Sequence, residues 1–378
     1  MIPVERSHIH VAAITHPGMS GKNNEDNYAV TAHQLSQTDT TPSVLAVLAD
    51  GVGGHHAGEV AAEIATETIS KLVLDSDAAN PLEILNQAFV QANQKVADQS
   101  EAKDERQGMG STCACVWIIN DSVFTASVGD SRIYFIRDGI IRQVTTDHTW
   151  VQEAIEHGII TPEQARNHPR AHVIRRYLGS RKPVEPDFRL RLHQDETDEQ
   201  AVANQGMKLI PGDQFLICSD GLTDLVADSE ILEILQNNKM DRALQSLVDL
   251  ANERGGHDNI TILVLKVPDP EEVEKRKDKT KKTPRMKLSW QIYLAISIFI
   301  IVLVAMSTVL FLYVSRTPSI PTTTPTDTVS ETIQPVPEGT LEATQELQPT
   351  ITPTITFTDT PIPETYTPWP THTSESEP

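Results

Sequence analysis

The stretch LSWQIYLAISIFIIVLVAMSTVLFLYV, residues 288–314, contains no charged side chain. It exceeds the roughly 20 apolar residues that a helix needs to cross the hydrocarbon of a bilayer. Trp290, Tyr293 and Tyr313 lie towards its two ends, where amphipathic rings anchor at the membrane interface. A globular core has little use for so long and uniform a run, so it predicts one transmembrane helix and divides the chain. Before it, residues 275–287 (KRKDKTKKTPRMK) carry eight Lys or Arg against Asp278, a local charge of 8 − 1 = +7. After it, residues 315–378 carry Arg316 against nine Asp or Glu, 1 − 9 = −8. Basic residues stay on the cytoplasmic side. The expectation is a single-pass protein of the cell membrane, N-terminal domain in the cytoplasm and C-terminal tail outside. The basic run also suits anionic lipid headgroups.

Four segments follow. Residues 1–268 form one soluble domain, 269–287 a basic juxtamembrane linker, 288–314 the transmembrane helix, and 315–378 a Thr/Pro-rich extracytoplasmic tail. The tail cannot bury a core and reads as a disordered stalk; glycosylation, contact with the cell envelope and an inert spacer all remain open. The N-terminus MIPVERSHIHVAAITH has neither the apolar core nor the cleavage pattern of a signal peptide. A net charge of −21 argues against nucleic acid as a partner. Cys113, Cys115 and Cys218 sit in apolar, strand-like runs and read as buried thiols in a reducing compartment.

Within the soluble domain, strand character marks residues 10–15, 27–32, 44–49, 112–119, 122–128, 132–137, 214–219 and 260–267. Helical spacing marks 59–74, a segment opening at Asn80-Pro81, and segments near 229–236 and 241–253. Strand pairs with short turns alternate with helix pairs. This favours antiparallel sheets with helices packed outside over a parallel βαβ sheet, an α+β class.

Acidic residues punctuate these strands. Asp50 ends the run VLAVLA and is followed by Gly51; Asp220 ends QFLICS and is followed by Gly221. Asp258 and the pair Glu25-Asp26 instead precede strands, and Asp130 sits in the turn VGDSR. If the strands that end in Asp run antiparallel to those that begin after one, all these carboxylates meet at one edge. Asp-Gly is by itself an ordinary turn pair. Together, however, these acids have almost no base among them save Lys22, and such a group repels itself unless cations intervene. Oxygen-only ligands select Mg²⁺ or Mn²⁺ over zinc. Gly51 leaves its carbonyl free to approach a metal. DGVGGHHAG lacks the Lys and Ser/Thr of a phosphate-binding P-loop and misses the third glycine of a dinucleotide fingerprint. His55 and His56 read as solvent-facing residues at a helix start.

NNED (23–26), LADGVGG (48–54), GMGST (108–112), VGDSR (128–132), CSDGL (218–222) and GGHDNIT (255–261) resemble, in order, the motifs of the metal-dependent protein serine/threonine phosphatases, the type 2C group in its bacterial membrane-anchored form. The resemblance implies a four-layer α-β-β-α sandwich with a metal cluster at one end. It implies that Asp50 bridges two Mn²⁺ or Mg²⁺ ions, with the Gly51 carbonyl on one and Asp220 and Asp258 on the other. Glu25 would act through metal-bound water, Asp26 would hold the water network, and Asp130 with Asp220 would match the ligands of a third ion. Water bridging two such ions is acidified and attacks phosphorus in line.

Two positions depart from the pattern. Gly21 stands where the family usually has a phosphate-gripping Arg, leaving Lys22 beside it with charge but no planar clamp. Val52 stands where many eukaryotic members have a His that protonates the leaving oxygen. Residues 147–186 resemble the family's mobile flap; Arg166, Arg170, Arg175, Arg176, Arg181 and Lys182 make this segment basic, either to attract phosphorylated substrates or as a solvated face. The expected function is hydrolysis of phosphoserine and phosphothreonine in proteins, Ser/Thr kinases or their substrates among them. Against it stand a membrane-anchored pseudophosphatase that binds phosphorylated partners, and a hydrolase of small phosphoesters.

Overall fold

The computed structural model describes residues 1–21, 23–52, 57–165, 168–269, 299 and 302–308. Strand β4 (Pro42–Val52) shows why the fold is layered: Ser43 to Ala49 are all buried. A strand covered on both faces reads as a continuous apolar run, as this one does. Its side chains nevertheless divide by the two-residue period. Leu45, Val47 and Ala49 pack in a cluster with the helices α1 (Ala57–Leu74) and α2 (Pro81–Ala102), whereas Val44, Ala46 and Leu48 enter a second cluster between the sheets.

The first sheet joins β4 to β1 (Ile2–Pro3), β3 (Asp26–Gln34), β6 (Cys113–Ile119), β7 (Ser122–Val128) and β10 (Met207–Lys208) in the order β1-β3-β4-β6-β7-β10, with β5 (Gly110–Ser111) paired to β4. The second has β2 (His10–His16), β12 (Ile260–Lys266), β11 (Gln214–Cys218), β8 (Arg132–Arg137) and β9 (Ile140–Gln143) in that order. Every pairing is antiparallel. Phe135, Phe215, Ile217, Leu263 and Leu265 meet the first sheet in the interior cluster. The alternate residues of β8, β11 and β12, among them Tyr134, Leu216 and Val264, pack outward on α7 (Asp228–Asn237) and α8 (Met240–Glu253). Helices thus cover the outer face of each sheet, as the sequence predicted.

The eight predicted strands are present within one or two residues at each end, β4 running three further on. Asn80 occupies the position before α2 with Pro81 in its first turn, but the Asn80 side chain makes no capping bond. Between β9 and β10 lie α3 (Trp150–Glu156), α4 (Pro162–Ala165) and α5 (Asp198–Ala203). A capping box opens α4: Thr161 N donates to Gln164 Oε1 at 2.9 Å and Gln164 N to Thr161 Oγ1 at 3.4 Å.

Cys113, Cys115 and Cys218 are free and fully buried. Burial pushes all three thiols up, which removes the reactive thiolate. A thiol reagent is expected to modify none of them in the folded chain and all three after denaturation, counted by mass.

Among the described residues no helix is long and apolar enough to cross a membrane. Residues 302–308 of the predicted span are helical and exposed. Most of the remainder of that span, residues 270–287 of the linker and the whole tail lie outside the described residues.

Candidate functional site

Strand pairing brings the predicted acids together. Antiparallel β3 and β4 set Asp26 directly opposite Asp50. Antiparallel β11 and β12 set Cys218 opposite Ile262, so Asp220, two residues past the first, and Asp258, two residues before β12 begins, fall at one edge. Asp220 opens the short helix α6 (Asp220–Thr223). Asp130 lies in the turn from β7 to β8. The two sheets meet here: Ser219 Oγ, from the second, donates to Asp26 Oδ2, in the first, at 2.8 Å.

The backbone around Asp50 is held from two sides. Its N–H donates to Thr112 Oγ1 at 3.0 Å, and its carbonyl accepts from Thr112 N at 2.8 Å and Ser111 Oγ at 3.0 Å. Gly51 N donates to the Glu25 carbonyl at 3.2 Å. A Cβ on Gly51 would stand 2.2 Å from the Gly58 carbonyl oxygen and 2.7 Å from that of Glu25, so only glycine lets these three segments meet. Gly51→Ala must therefore part backbone from backbone. It is expected to cost about 3 kcal/mol, at the top of the ordinary overpacking range, and to appear as a lowered denaturation midpoint.

Packed against one another, the carboxyls resist ionisation. Burial, the repulsion of Asp258 and that of Glu25 raise Asp26 to about 6, against the Thr261 and Ser219 hydroxyls. Burial and then Asp147 raise Asp130 to about 6. Burial first, then neighbouring aspartates, push Asp50 and Asp220 well above the usual carboxylate range. Asp26 Oδ1, Asp130 Oδ1 and Asp220 Oδ1 are buried with no hydrogen-bond partner. A buried polar oxygen left so is costly. Converging, unpartnered carboxylate oxygens fit hard divalent cations, which would both pair them and lower their pKa values.

The structure adds residues that the sequence reading passed over. Asn259 accepts from Glu25 N at 2.7 Å and donates to the Pro17 and Asn23 carbonyls, both at 3.1 Å, pinning the Glu25 loop to the start of β12. His172, Asp220 and Asp224 bring one ligand atom each within 4.8 Å of one another. A cavity of about 940 Å³ beside them is lined by Asp130, Arg132, Asp147, His172, Asp220 and Asp224, among others. Asp224 lies four residues after Asp220, one turn on; His172 carried no spacing signal. Lys22, Gly53, Gly54, His55 and His56 lie outside the described residues.

The sequence model of the family described as protein phosphatase 2C matches residues 19–260. The chain belongs to the protein phosphatase 2C family. It is 36% identical over 258 residues to the serine/threonine protein phosphatase PstP of Mycobacterium tuberculosis, a match covering 68% of this chain and 45% of PstP. It thus spans about half the length of that relative. It is 34% identical over 263 residues to the serine/threonine phosphatase stp of Listeria monocytogenes, covering 68% of this chain and 96% of stp. Among solved structures it is similar to the catalytic domain of PstP in complex with two manganese ions (TM-score 0.57, 34% identity, 69% of this chain and 99% of that chain). A serine/threonine phosphatase of S. agalactiae gives a TM-score of 0.59 at 30% identity, over 68% of this chain and 99% of that one.

Both departures from the protein phosphatase 2C motifs lie at the surface. Gly21 is exposed with a φ of +72°, and nothing stands within 4 Å of where its Cβ would be. Val52 is 42% exposed, paired to Gly110 across the β4–β5 ladder. In the segment 147–186, Arg175 pairs with Glu153 at 3.2 Å, Arg181 with Glu101 at 2.6 Å, and Arg170 lies 5.1 Å from the Trp150 ring centroid. Arg166 lies outside the described residues.

Proposed function

We propose that the chain is a membrane-anchored, metal-dependent protein phosphatase that hydrolyses phosphoserine and phosphothreonine in cytoplasmic proteins. The carrying observation is the convergence of Asp26, Asp50, Asp130 and Asp220 with three buried, unpartnered carboxylate oxygens. A module that only bound phosphoproteins would gain nothing from that strain.

Asp50, the Gly51 carbonyl, Asp220 and Asp258 would hold a pair of Mn²⁺ or Mg²⁺ ions, Glu25 would reach them through water, and Asp130 with Asp220 would offer a third place. Bound there, the cations supply an acidified water and positive charge against the phosphoryl oxygens. Asp26, fixed by Ser219, would hold such a water in place. Lys22 offers its ammonium to the substrate phosphate, a weaker grip than a guanidinium fork. Val52 has no proton to give, so the leaving oxygen takes one from water or another side chain.

Residues 147–186 would act as a flap beside the site. The uncharged run 288–314 and the basic residues before it support anchoring with the domain inside. Kinases that phosphorylate Ser and Thr, or their substrates, are the natural partners.

The activity is tested with the full-length chain in detergent and Mn²⁺, comparing a phosphothreonine protein with a small aryl phosphate. Binding energy from the remote protein surface should raise kcat/KM at least about tenfold for the protein. Equal or reversed preference supports a small-ester hydrolase; calorimetric binding of the phosphoprotein without turnover supports a pseudophosphatase. For topology, protease added to intact cells should remove the tail and spare the N-terminal domain; the opposite pattern contradicts the orientation.

A further inference from the structure

Asp130 is 7% exposed, and its Oδ1 has no partner. The turn that carries it is nonetheless held tightly on both sides. Ser131 Oγ lies 2.7 Å from Thr112 Oγ1, the same hydroxyl that accepts from Asp50 N. On the other side, His148 clamps the Gly129 peptide at two points: His148 N donates to the Gly129 carbonyl at 2.9 Å, and Gly129 N donates to His148 Nδ1 at 3.0 Å. Gly129 has a φ of +105°, and a Cβ there would stand 2.6 Å from the Thr112 side chain, so the turn has no room to relax in that direction.

The second bond to Gly129 requires a particular imidazole. An acceptor at Nδ1 means that the ring is neutral and carries its proton on Nε2. Asp187 sets that state: its Oδ2 lies 3.3 Å from His148 Nε2, with both side chains almost fully buried. Asp187 is fixed in turn. Arg189 Nε and Nη2 donate to its two oxygens at 2.9 and 2.5 Å, Arg189 N donates to Oδ1 at 2.9 Å, and its backbone pairs with Ser127 at 2.9 and 3.0 Å. A carboxylate thus orients an imidazole, and the imidazole orients a peptide rather than a substrate.

We infer that His148, oriented by Asp187, is a positioning residue that holds the Gly129–Asp130 turn so that the Asp130 carboxylate is preorganised to bind a divalent cation. The inference rests on the proposed reading of Asp130 as a cation ligand. The turn is fixed by its neighbours, and Asp130 Oδ1, although buried, is left without a hydrogen bond. Partners that orient a ligand in this way are typically worth about 10–100-fold in metal affinity.

The test is Mn²⁺ binding to the full-length chain, by calorimetry and by the spin-resonance signal of free Mn²⁺. Three variants accompany wild type: Asp130→Ala, His148→Leu and His148→Asn. Leucine fills the ring's space without an acceptor. The amide oxygen of asparagine reproduces Nδ1 for Gly129 but does not reach Asp187. Asp130→Ala is expected to weaken the weakest Mn²⁺ site at least about tenfold, His148→Leu to do the same, and His148→Asn to stay within about threefold of wild type. Both His148 variants lose the Asp187 contact, so a merely structural role moves them together. Folded His148→Leu that binds Mn²⁺ like wild type, or His148→Asn that loses as much as His148→Leu, overturns the inference. Unchanged binding by Asp130→Ala overturns the reading of Asp130 and the inference with it. Should His148→Leu not fold, Asp187→Asn, which releases the imidazole to its other tautomer, is expected to give the same tenfold loss; wild-type binding by that variant overturns the inference.

Discussion

Asp50→Asn is expected to lower phosphate release at least about 10³-fold and, in the absence of metal, to make the chain more stable at neutral pH. The two effects have one cause. Asp50 sits against Asp26, Asp220, Asp130 and Asp258, and burial with their repulsion raises its pKa well above the ordinary carboxylate value. A carboxyl whose pKa is higher in the folded state binds more protons folded than unfolded, so stability falls as pH rises from the unfolded pKa near 4 through the folded value. Asp26 and Asp130, raised to about 6, place much of that loss between about pH 4 and 6. The amide at position 50 removes one charge from the group. The variant's thermal midpoint in EDTA should exceed that of wild type at pH 7.5 and converge with it near pH 4. Mn²⁺ should then stabilise wild type more than the variant. A variant that is inactive and also less stable in EDTA would mean that Asp50 serves the fold and not a cation.

Asp187→Ala carries the largest expected cost in stability, about 3–5 kcal/mol, because it removes the buried counter-charge of the Arg189 guanidinium and leaves it only the exposed Asp198, 3.2 Å away. Burial alone would push Asp187 up, but hydrogen bonds from His148 and Arg189 outweigh it and hold the carboxyl below its usual range. For a depressed carboxyl the stabilisation is present above the unfolded pKa near 4 and is lost as pH falls through the folded value. Urea melts should therefore show the full difference from wild type at pH 7 and a shrinking one below about pH 4. A difference that persists unchanged at pH 2 would locate the loss in packing, not in the ion pair.

The sheets were legible because β4, β6, β11 and β12 are covered on both faces and carry unbroken apolar runs. The convergence of the acids was legible from order alone: Asp50 and Asp220 end strands, Glu25-Asp26 and Asp258 precede them, and antiparallel pairing does the rest. The short edges β1, β9 and β10 escaped, since two to four residues hold no period. The supports of the site also escaped. His148 and Asp187 are 39 residues apart, Asn259 and Glu25 are 234 apart, and Thr112 meets Ser131 only because β6 and β7 form a hairpin. Such residues act through backbone hydrogen bonds, which leave no spacing pattern. Even the opening feature of the chain, its uncharged run, says where the domain ends and nothing about what the domain does.

The most direct test is the release of phosphate from a phosphothreonine protein by the full-length chain, first stripped with EDTA and then titrated with Mn²⁺. The account predicts no release above the uncatalysed background without metal and a saturable, reversible gain of at least about 10³-fold with it. Release that is indifferent to EDTA, or a chain that binds Mn²⁺ and still turns nothing over, would contradict it.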